Sequence, residues 1–529
     1  MIKLSFVRFF VVFEVILIFF ICFFHLILID QIPRGIHIDE ASIALNAVTI
    51  SESGKDEFGT SWPLYFKAFG EYKNPVYIYA AGGLFKLLGV SLFTLKLTSF
   101  LFYFVALIAI YYLVKILFPN QKIIQIYGLL SIGFLPQYFT LSRVSFEVIS
   151  QLPVVALTLI GVYYTFKTEV YATKKEVNLG YILAVLTGFL FGISVYTYST
   201  ARLLSFLSIF ALIWVYKKKE FWTRILVVSG SMFVALIPWI IFFIKHPDTL
   251  TNRFDSGISY VTLPFLAGTW KGVIFAFEYL SYFSPKFLFS QGDPILRHSI
   301  GFGGAVFATT ALLFFLGIIY IFWNKKWKGD YFLQFILFNL FISPAAAALT
   351  WESAPHSLRS FLIGMYIVII SAYGLKFIII SKKNDTFSSV KLNFWQQPNS
   401  LSKAFLLLLF PIFLWEIAGY QVYYFANYPE KSVEAFAGYD FPKALQKAID
   451  QKPKQIVVSN AAYYPYTYLE FSKRIVKNPD NIKMSIGDLK PYPNSCLLYF
   501  RDNESDLKKY TDQYRDLSEK EDWVKVRCY

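Results

Sequence analysis

The chain has 529 residues, 56% hydrophobic, 20% aromatic and only 16% charged, with a mean hydropathy of +0.49. A water-soluble domain carries about a quarter charged residues, so this composition excludes a soluble globular protein and requires lipid to solvate much of the surface. The formal charge of +15 does not point to nucleic acid, because most of it falls in short loops and residues 426–529 hold 17 Lys and Arg against 15 Asp and Glu.

In chain order, about eleven apolar blocks of bilayer-spanning length occupy 8–29, 91–115, 123–141, 147–166, 179–197, 201–216, 222–244, 305–323, 331–349, 358–380 and 403–425. The first has a charged start, but it is long and no small-residue cleavage site follows, so it reads as a retained anchor. Cys22 inside it is a small apolar residue. Two long loops interrupt the series, at 30–90 and 245–304. Within the first, 74–89 predicts a helix lying in the interface, where its Tyr and Lys suit headgroup depth.

After residue 425 the apolar runs become short. Ile456 to Val458, Cys496 to Phe500 and Trp523 to Val526 predict buried strands, and 431–450 an amphipathic helix. The expected architecture is a polytopic α-helical membrane domain over 1–425 and a small α/β domain over 426–529.

Orientation follows from the Lys and Arg of short loops, which stay cytoplasmic. Lys3, Lys115, Lys122, Lys167, Lys174, Lys175, Lys217 to Lys219, Lys325, Lys326, Lys328, Lys382 and Lys383 form one alternating set. The amino terminus is then cytoplasmic and, after an odd number of spans, the tail is extracytoplasmic, as expected for a multi-pass plasma-membrane protein. Cys496 and Cys528 would lie in that oxidising compartment, where two thiols can pair.

The candidate chemistry gathers at the outer ends of the blocks. Pro33-Arg34-Gly35-Ile36-His37-Ile38-Asp39-Glu40 places two carboxylates just past the first span. Such a carboxylate can take the proton of an attacking hydroxyl; it can equally cap a helix. The same loop supplies Glu52, Asp56, Glu57, Glu71 and Lys73, and His37 with Asp39 and Glu40 offers metal-ligand types without a recognised spacing. Arg143, Arg202, Arg297, His298, His356 and Arg359 end other spans on the same expected face, where cations would hold a lipid phosphate. Lipid headgroups or ion pairs such as Arg143 with Glu147 explain the same residues. Glu14, Lys96 and Glu416 are charges inside apolar blocks.

Several segments resemble bacterial family 39 relatives of the protein O-mannosyltransferases and aminoarabinose transferases, which are GT-C glycosyltransferases. They are Asp39-Glu40; Gly54-Lys55-Asp56-Glu57-Phe58-Gly59 with Trp62-Pro63-Leu64; Tyr72-Lys73-Asn74-Pro75; Ser142-Arg143 with Glu147; Tyr196 to Arg202; Gly292-Asp293-Pro294 with Leu296-Arg297-His298-Ser299; and Leu349-Thr350-Trp351-Glu352 with Pro355-His356-Ser357-Leu358-Arg359-Ser360.

The resemblance covers roughly 1–425. It implies a polyprenyl-phosphate sugar as donor, inversion at the anomeric carbon, and Asp39 and Glu40 at the catalytic centre. Arg143, Arg202, Arg297, His298, His356 and Arg359 stand as donor-phosphate candidates, and Asp56, Glu57, Lys73, Glu147 and Glu352 as donor or acceptor loop candidates. The acceptor stays open among protein, lipid and glycan, and a divalent metal stays open as cofactor. A transporter or flippase of lipid-linked sugars is the competing reading, although it would place polar sites near the bilayer midplane. A receptor or assembly protein whose tail does the work is a third.

Overall fold

The computed structural model describes residues 2–167, 174–250, 259–263, 266, 268–379, 400–436, 440–460, 464–477, 482–487, 493–501, 515–518 and 522–529. Lys382 and Lys383 of the expected cytoplasmic set lie outside the described residues, as does part of the loop expected at 245–304. Among the described residues six helices are long and apolar enough to cross a membrane: Leu92–Leu117, Glu147–Phe166, Val177–Ser194, Lys219–Lys245, Tyr331–Leu349 and Ala404–Ala426. Shorter apolar helices include Phe10–Leu26, Lys122–Gly133, Ser199–Val215, Ala308–Trp323 and Ile363–Ile379. The chain is a polytopic helical membrane protein.

Not every apolar block is a single α-helix. Where one span was expected over 123–141, the chain forms Lys122–Gly133 and then Pro136–Leu141. Pro136 supplies no N–H to the preceding turn and forces Leu135 out of the helical region, to ψ 122°.

Two compact units emerge, and they cut across the expected boundary at 425. The first comprises Met1–Ile27, Phe100–Ser142 and Glu147–Tyr424; the second comprises Leu28–Ser99, Arg143–Phe146 and Phe425–Tyr529.

In the first unit, helix Ala308–Trp323 packs along Ile363–Ile379. Their backbones come so close that a Cβ on Gly317 would collide with the Ile370 carbonyl, and one on Gly374 with the Leu313 carbonyl. Small residues allow this approach in a bilayer, where dispersion contacts and not water exclusion drive helix pairing. The acidic groups inside apolar blocks are satisfied locally. Glu14 lies between Lys115 at 2.8 Å and Lys122 at 3.0 Å. Glu416 accepts the backbone N–H groups of Ala308 at 2.9 Å and Thr309 at 3.2 Å, capping the positive end of that helix.

The second unit has two parts in contact. The first long loop folds as helix Ile38–Ser53, a hairpin of β1 (Phe66–Ala68) and β2 (Glu71–Lys73), and helix Pro75–Leu88, where a helix was expected over 74–89. The two helices pack through alanines and Gly82, where a Cβ would stand 3.0 Å from the Ala47 carbonyl oxygen. The tail forms a sheet of β3 (Gln455–Ser459), β4 (Lys483–Gly487), β5 (Ser495–Phe500), β6 (Arg515–Asp516) and β7 (Val524–Cys528), in the order β4-β3-β5-β7-β6. β3 runs parallel to β4 and β5, and β7 is antiparallel to β5 and β6.

Every residue of β5 is buried, as its unbroken apolar run requires. Cys496 and Cys528 face each other across β5 and β7 and are disulfide-bonded, with Cα atoms 4.1 Å apart. The amphipathic helix expected over 431–450 begins only at Phe441. Asp440 before it accepts the N–H groups of Trp523 at 2.8 Å and Val524 at 2.9 Å, fastening the helix to the start of β7. Helix Pro465–Lys473 packs against Ile38–Ser53, and Arg474 pairs with Glu52 at 3.1 Å.

Overpacking a close helix contact costs about 1–3 kcal/mol or more. Gly374→Leu is therefore expected to lower the melting temperature of detergent-purified protein well below that of Gly419→Leu, since a Cβ at Gly419 meets nothing within 4 Å. Equal melting temperatures would show that the close approach is unimportant.

Candidate active site

The acidic pair of the first loop stands at the start of helix Ile38–Ser53, and its two members have different surroundings. His37 is the N-cap residue: its Nδ1 accepts the Asp39 backbone N–H at 3.3 Å, while the Glu40 carboxylate accepts the His37 N–H at 2.8 Å. This reciprocal pattern is a capping box with histidine in the place usually taken by Ser or Thr.

Glu40 is wholly buried. Its second oxygen accepts the backbone N–H of Ser145 at 2.7 Å, which ties the helix start to the Arg143–Phe146 segment. Burial pushes its carboxyl above the ordinary 4.5, opposed by the charge of Lys96 and by the two backbone N–H groups. Lys96 is itself fully buried and donates to the Pro33 carbonyl at 3.0 Å. Glu40 is thus a fixing group, with no surface left for an acceptor or a cation.

Asp39 points the other way. Its side chain is 42% exposed, and its Oδ1 receives Lys73 Nζ at 2.8 Å. Its Oδ2 lies 3.3 Å from His37 Nδ1; that nitrogen bonds the carboxylate when protonated and accepts the Asp39 N–H when bare. Burial of the surroundings works to raise the Asp39 carboxyl, but the Lys73 ammonium, helped by His37, outweighs it and holds the group well below the ordinary 3.8.

Lys73 is delivered by the hairpin. Phe69 and Gly70 both have positive φ, 56° and 80°, as a tight two-residue turn between right-twisted strands requires. This register sets Lys73 opposite Phe66 at the end of β2, with Nζ 5.4 Å from the Phe69 ring centroid.

The other acidic residues of this loop have structural bonds. Asp56 accepts the N–H groups of Phe58 at 3.0 Å and Thr60 at 2.7 Å, closing the 54–61 turn. Glu57 exchanges two hydrogen bonds with the Asn46 side-chain amide, at 2.7 and 3.2 Å. Arg143 is completely buried; it donates to the Ile32 carbonyl at 3.3 Å and lies 5.4 Å from the Phe425 ring centroid. It therefore braces the polypeptide leading into the Asp39 helix.

In the first unit the candidate cations are also engaged. Arg359 donates to Thr350 Oγ1 at 2.8 Å, to the Glu352 carbonyl at 3.1 Å and to the Glu352 carboxylate at 3.1 Å. Arg202 lies 5.2 Å from the Phe243 ring centroid. Glu147 opens a 3-10 turn leading into helix Gln151–Phe166, its carbonyl accepting the Ser150 hydroxyl at 2.7 Å.

His298 and His356 come together with their ring centroids 4.4 Å apart, both beside Asp293. Burial pulls His298 below the ordinary 6.5, Asp293 opposes this, and Arg297 and Arg359 add to the lowering. Asp293 has no exposed side-chain surface. Its Oδ1 accepts the Ile295 N–H at 2.8 Å and its Oδ2 the Ser357 N–H at 2.6 Å, so one carboxylate joins two loop segments.

Among the described residues, Asp293, His298 and His356 are the three side chains grouped so that each offers a metal-ligand atom. The metal-ligand types noted around His37 do not form that group. Sequence reasoning saw Asp293 only as part of a motif and did not anticipate Ser145 or the part played by Lys96. Asp293 carries a signal, an acidic residue between Gly and Pro; Ser145 acts through its backbone and carries none.

The sequence matches no family model and no curated protein. The structure is similar to that of ArnT from Cupriavidus metallidurans in the apo state, with a TM-score of 0.57 and 13% identity, over 100% of this chain and 98% of that one. It is similar to ArnT bound to undecaprenyl phosphate, with a TM-score of 0.55 and 14% identity, over 98% and 97% of the two chains. An oligosaccharyltransferase of Archaeoglobus fulgidus aligns with a TM-score of 0.49 and 11% identity, over 92% of this chain and 68% of that one. At such identities the likeness to ArnT shows the fold alone, and this is the GT-C fold that the sequence motifs led us to expect.

Proposed function

We propose that this protein is a membrane glycosyltransferase that moves a sugar from a polyprenyl-phosphate carrier to an acceptor on the extracytoplasmic face, with inversion. The supporting observation is the Asp39 carboxylate: exposed on one side, paired with Lys73 at 2.8 Å, and mounted on a helix start fixed by the buried Glu40. The full-length likeness to ArnT, which has been seen with undecaprenyl phosphate, supports the same reading.

In the proposed reaction the acceptor oxygen attacks the anomeric carbon from the side opposite the phosphate. The bond from that carbon to the phosphate oxygen breaks, the polyprenyl phosphate departs with the electron pair, and Asp39 takes the acceptor proton. Lys73 is the adjacent cation suited to a phosphate oxygen. When it turns to that anion, Asp39 loses the partner that depresses its basicity. Glu40 and Arg143 position the site without touching substrate. The sugar is a hexose or pentose, and the acceptor is a protein, lipid or glycan hydroxyl.

Membranes containing the protein, supplied with radiolabelled polyprenyl-phosphate sugars, should label one class of macromolecule. Asp39→Asn should lower the rate by about 10² to 10⁴, the usual worth of a general base, while donor binding and melting temperature persist. Transfer by Asp39→Asn at the wild-type rate would remove Asp39 from the chemistry.

The face is tested separately. Reporter fusions after Lys219 and Lys328 should be cytoplasmic, and fusions near residues 60, 270 and 460 extracytoplasmic. A cytoplasmic signal near 60 would place the Asp39 loop on the wrong side for this reading.

A further inference from the structure

We propose that Asp293, His298 and His356 bind one divalent transition-metal ion of the zinc class, which clasps the 292–299 and 355–359 segments together. The inference does not depend on the sugar-transfer reading.

The geometry carries it. Two imidazoles and one carboxylate, all buried, place their ligand atoms within 4.8 Å of one another. Asp293 Oδ2 lies 3.1 Å from His298 Nδ1 and 3.9 Å from His356 Nδ1. Zinc holds nitrogen and oxygen donors at about 2.0–2.2 Å in a tetrahedron, which puts neighbouring donors about 3.3 Å apart. The two measured separations bracket that value.

A hydrogen bond accounts for His298 beside Asp293, but 3.9 Å is too long for one between His356 and the same oxygen. A shared cation accounts for both imidazoles converging on one carboxylate. The surrounding groups are those that orient metal ligands: the Ile295 and Ser357 N–H groups hold the Asp293 oxygens, and the Tyr282 hydroxyl accepts the His356 backbone N–H at 3.2 Å.

The donor set decides the class of ion. Two imidazoles select zinc, cobalt or nickel over magnesium and calcium, which take oxygen ligands. Asp293 and His298 also line a small cavity with Gln137, Ser299, Ser357 and Tyr420. A water molecule entering there can complete the coordination. The ligands come from two segments far apart in sequence, so the ion would act as a cross-link within the outer loops of this unit.

The test uses the full-length protein in detergent. Mass spectrometry of the purified chain should find about one equivalent of zinc or a similar transition metal. Chelation should remove the metal and lower the melting temperature, and zinc, but not magnesium, should restore it. Cobalt added to the chelated wild type should give the visible absorption of a nitrogen- and oxygen-ligated tetrahedral ion, and His356→Gln should abolish it. Because the wild-type titration needs no substitution, a variant that fails to fold leaves the test intact. Chelated wild type that takes up neither zinc nor cobalt would overturn the proposal, as would equal recovery with magnesium or undiminished cobalt absorption in folded His356→Gln protein.

Discussion

A carboxylate with no exposed surface holds the candidate site together. Glu40 receives the backbone N–H of His37 at 2.8 Å and that of Ser145 at 2.7 Å, and the buried Lys96 supplies the nearby positive charge. Taking a carboxylate out of water is costly unless charge-assisted hydrogen bonds replace its hydration. Both oxygens of Glu40 are supplied in this way, one by His37 in its own helix start and one by Ser145 from a segment distant in sequence. The first turn of helix Ile38–Ser53 is consequently fixed against the Arg143–Phe146 segment, and Asp39, one residue earlier, inherits a fixed orientation. Arg143, donating to the Ile32 carbonyl, braces the chain that enters this turn.

Such a mount separates two tasks that adjacent acidic residues could otherwise share. Glu40 is consumed by structure, whereas Asp39 remains partly exposed and ionised because Lys73 sits 2.8 Å away. Helix geometry contributes, since a carboxylate in the first turn meets the positive end of the helix dipole. A carboxylate held this low is a weak base on its own. In the proposed reaction it would become suited to late proton transfer when Lys73 is drawn to the anionic leaving group, and a phosphate departs readily enough to make late transfer sufficient. In the proposed reaction, donor and base would be coupled in this way through one lysine.

Much of the fold was legible in the sequence because the bilayer leaves few options: apolar runs of spanning length must become helices. Even there, Pro136 divided an apparent span, since hydropathy averages over a residue whose effect is local. The acidic pair was legible as a site, but not the division of labour within it. That division depends on Ser145 and Lys73, whose approach is set by packing and by the tight turn at Phe69-Gly70. The arginines and histidines at helix ends read as free phosphate clamps in one dimension. In three dimensions Arg143 and Arg359 are committed to protein partners, and two of the histidines meet at Asp293. Compositional counting finds cations but cannot show which carbonyl or carboxylate already holds them.

The pH dependence of sugar transfer by wild type and Lys73→Met tests most directly whether Asp39 is the group that titrates. Because Lys73 holds the Asp39 carboxyl of the free protein well below 3.8, the wild-type kcat/KM, which reports the groups of the free enzyme, should stay flat as pH falls to that value and decline only beneath it. Without the ammonium, burial raises the carboxyl, and the acid limb of the rate should move to higher pH. An acid limb in the same place for both proteins would contradict the account.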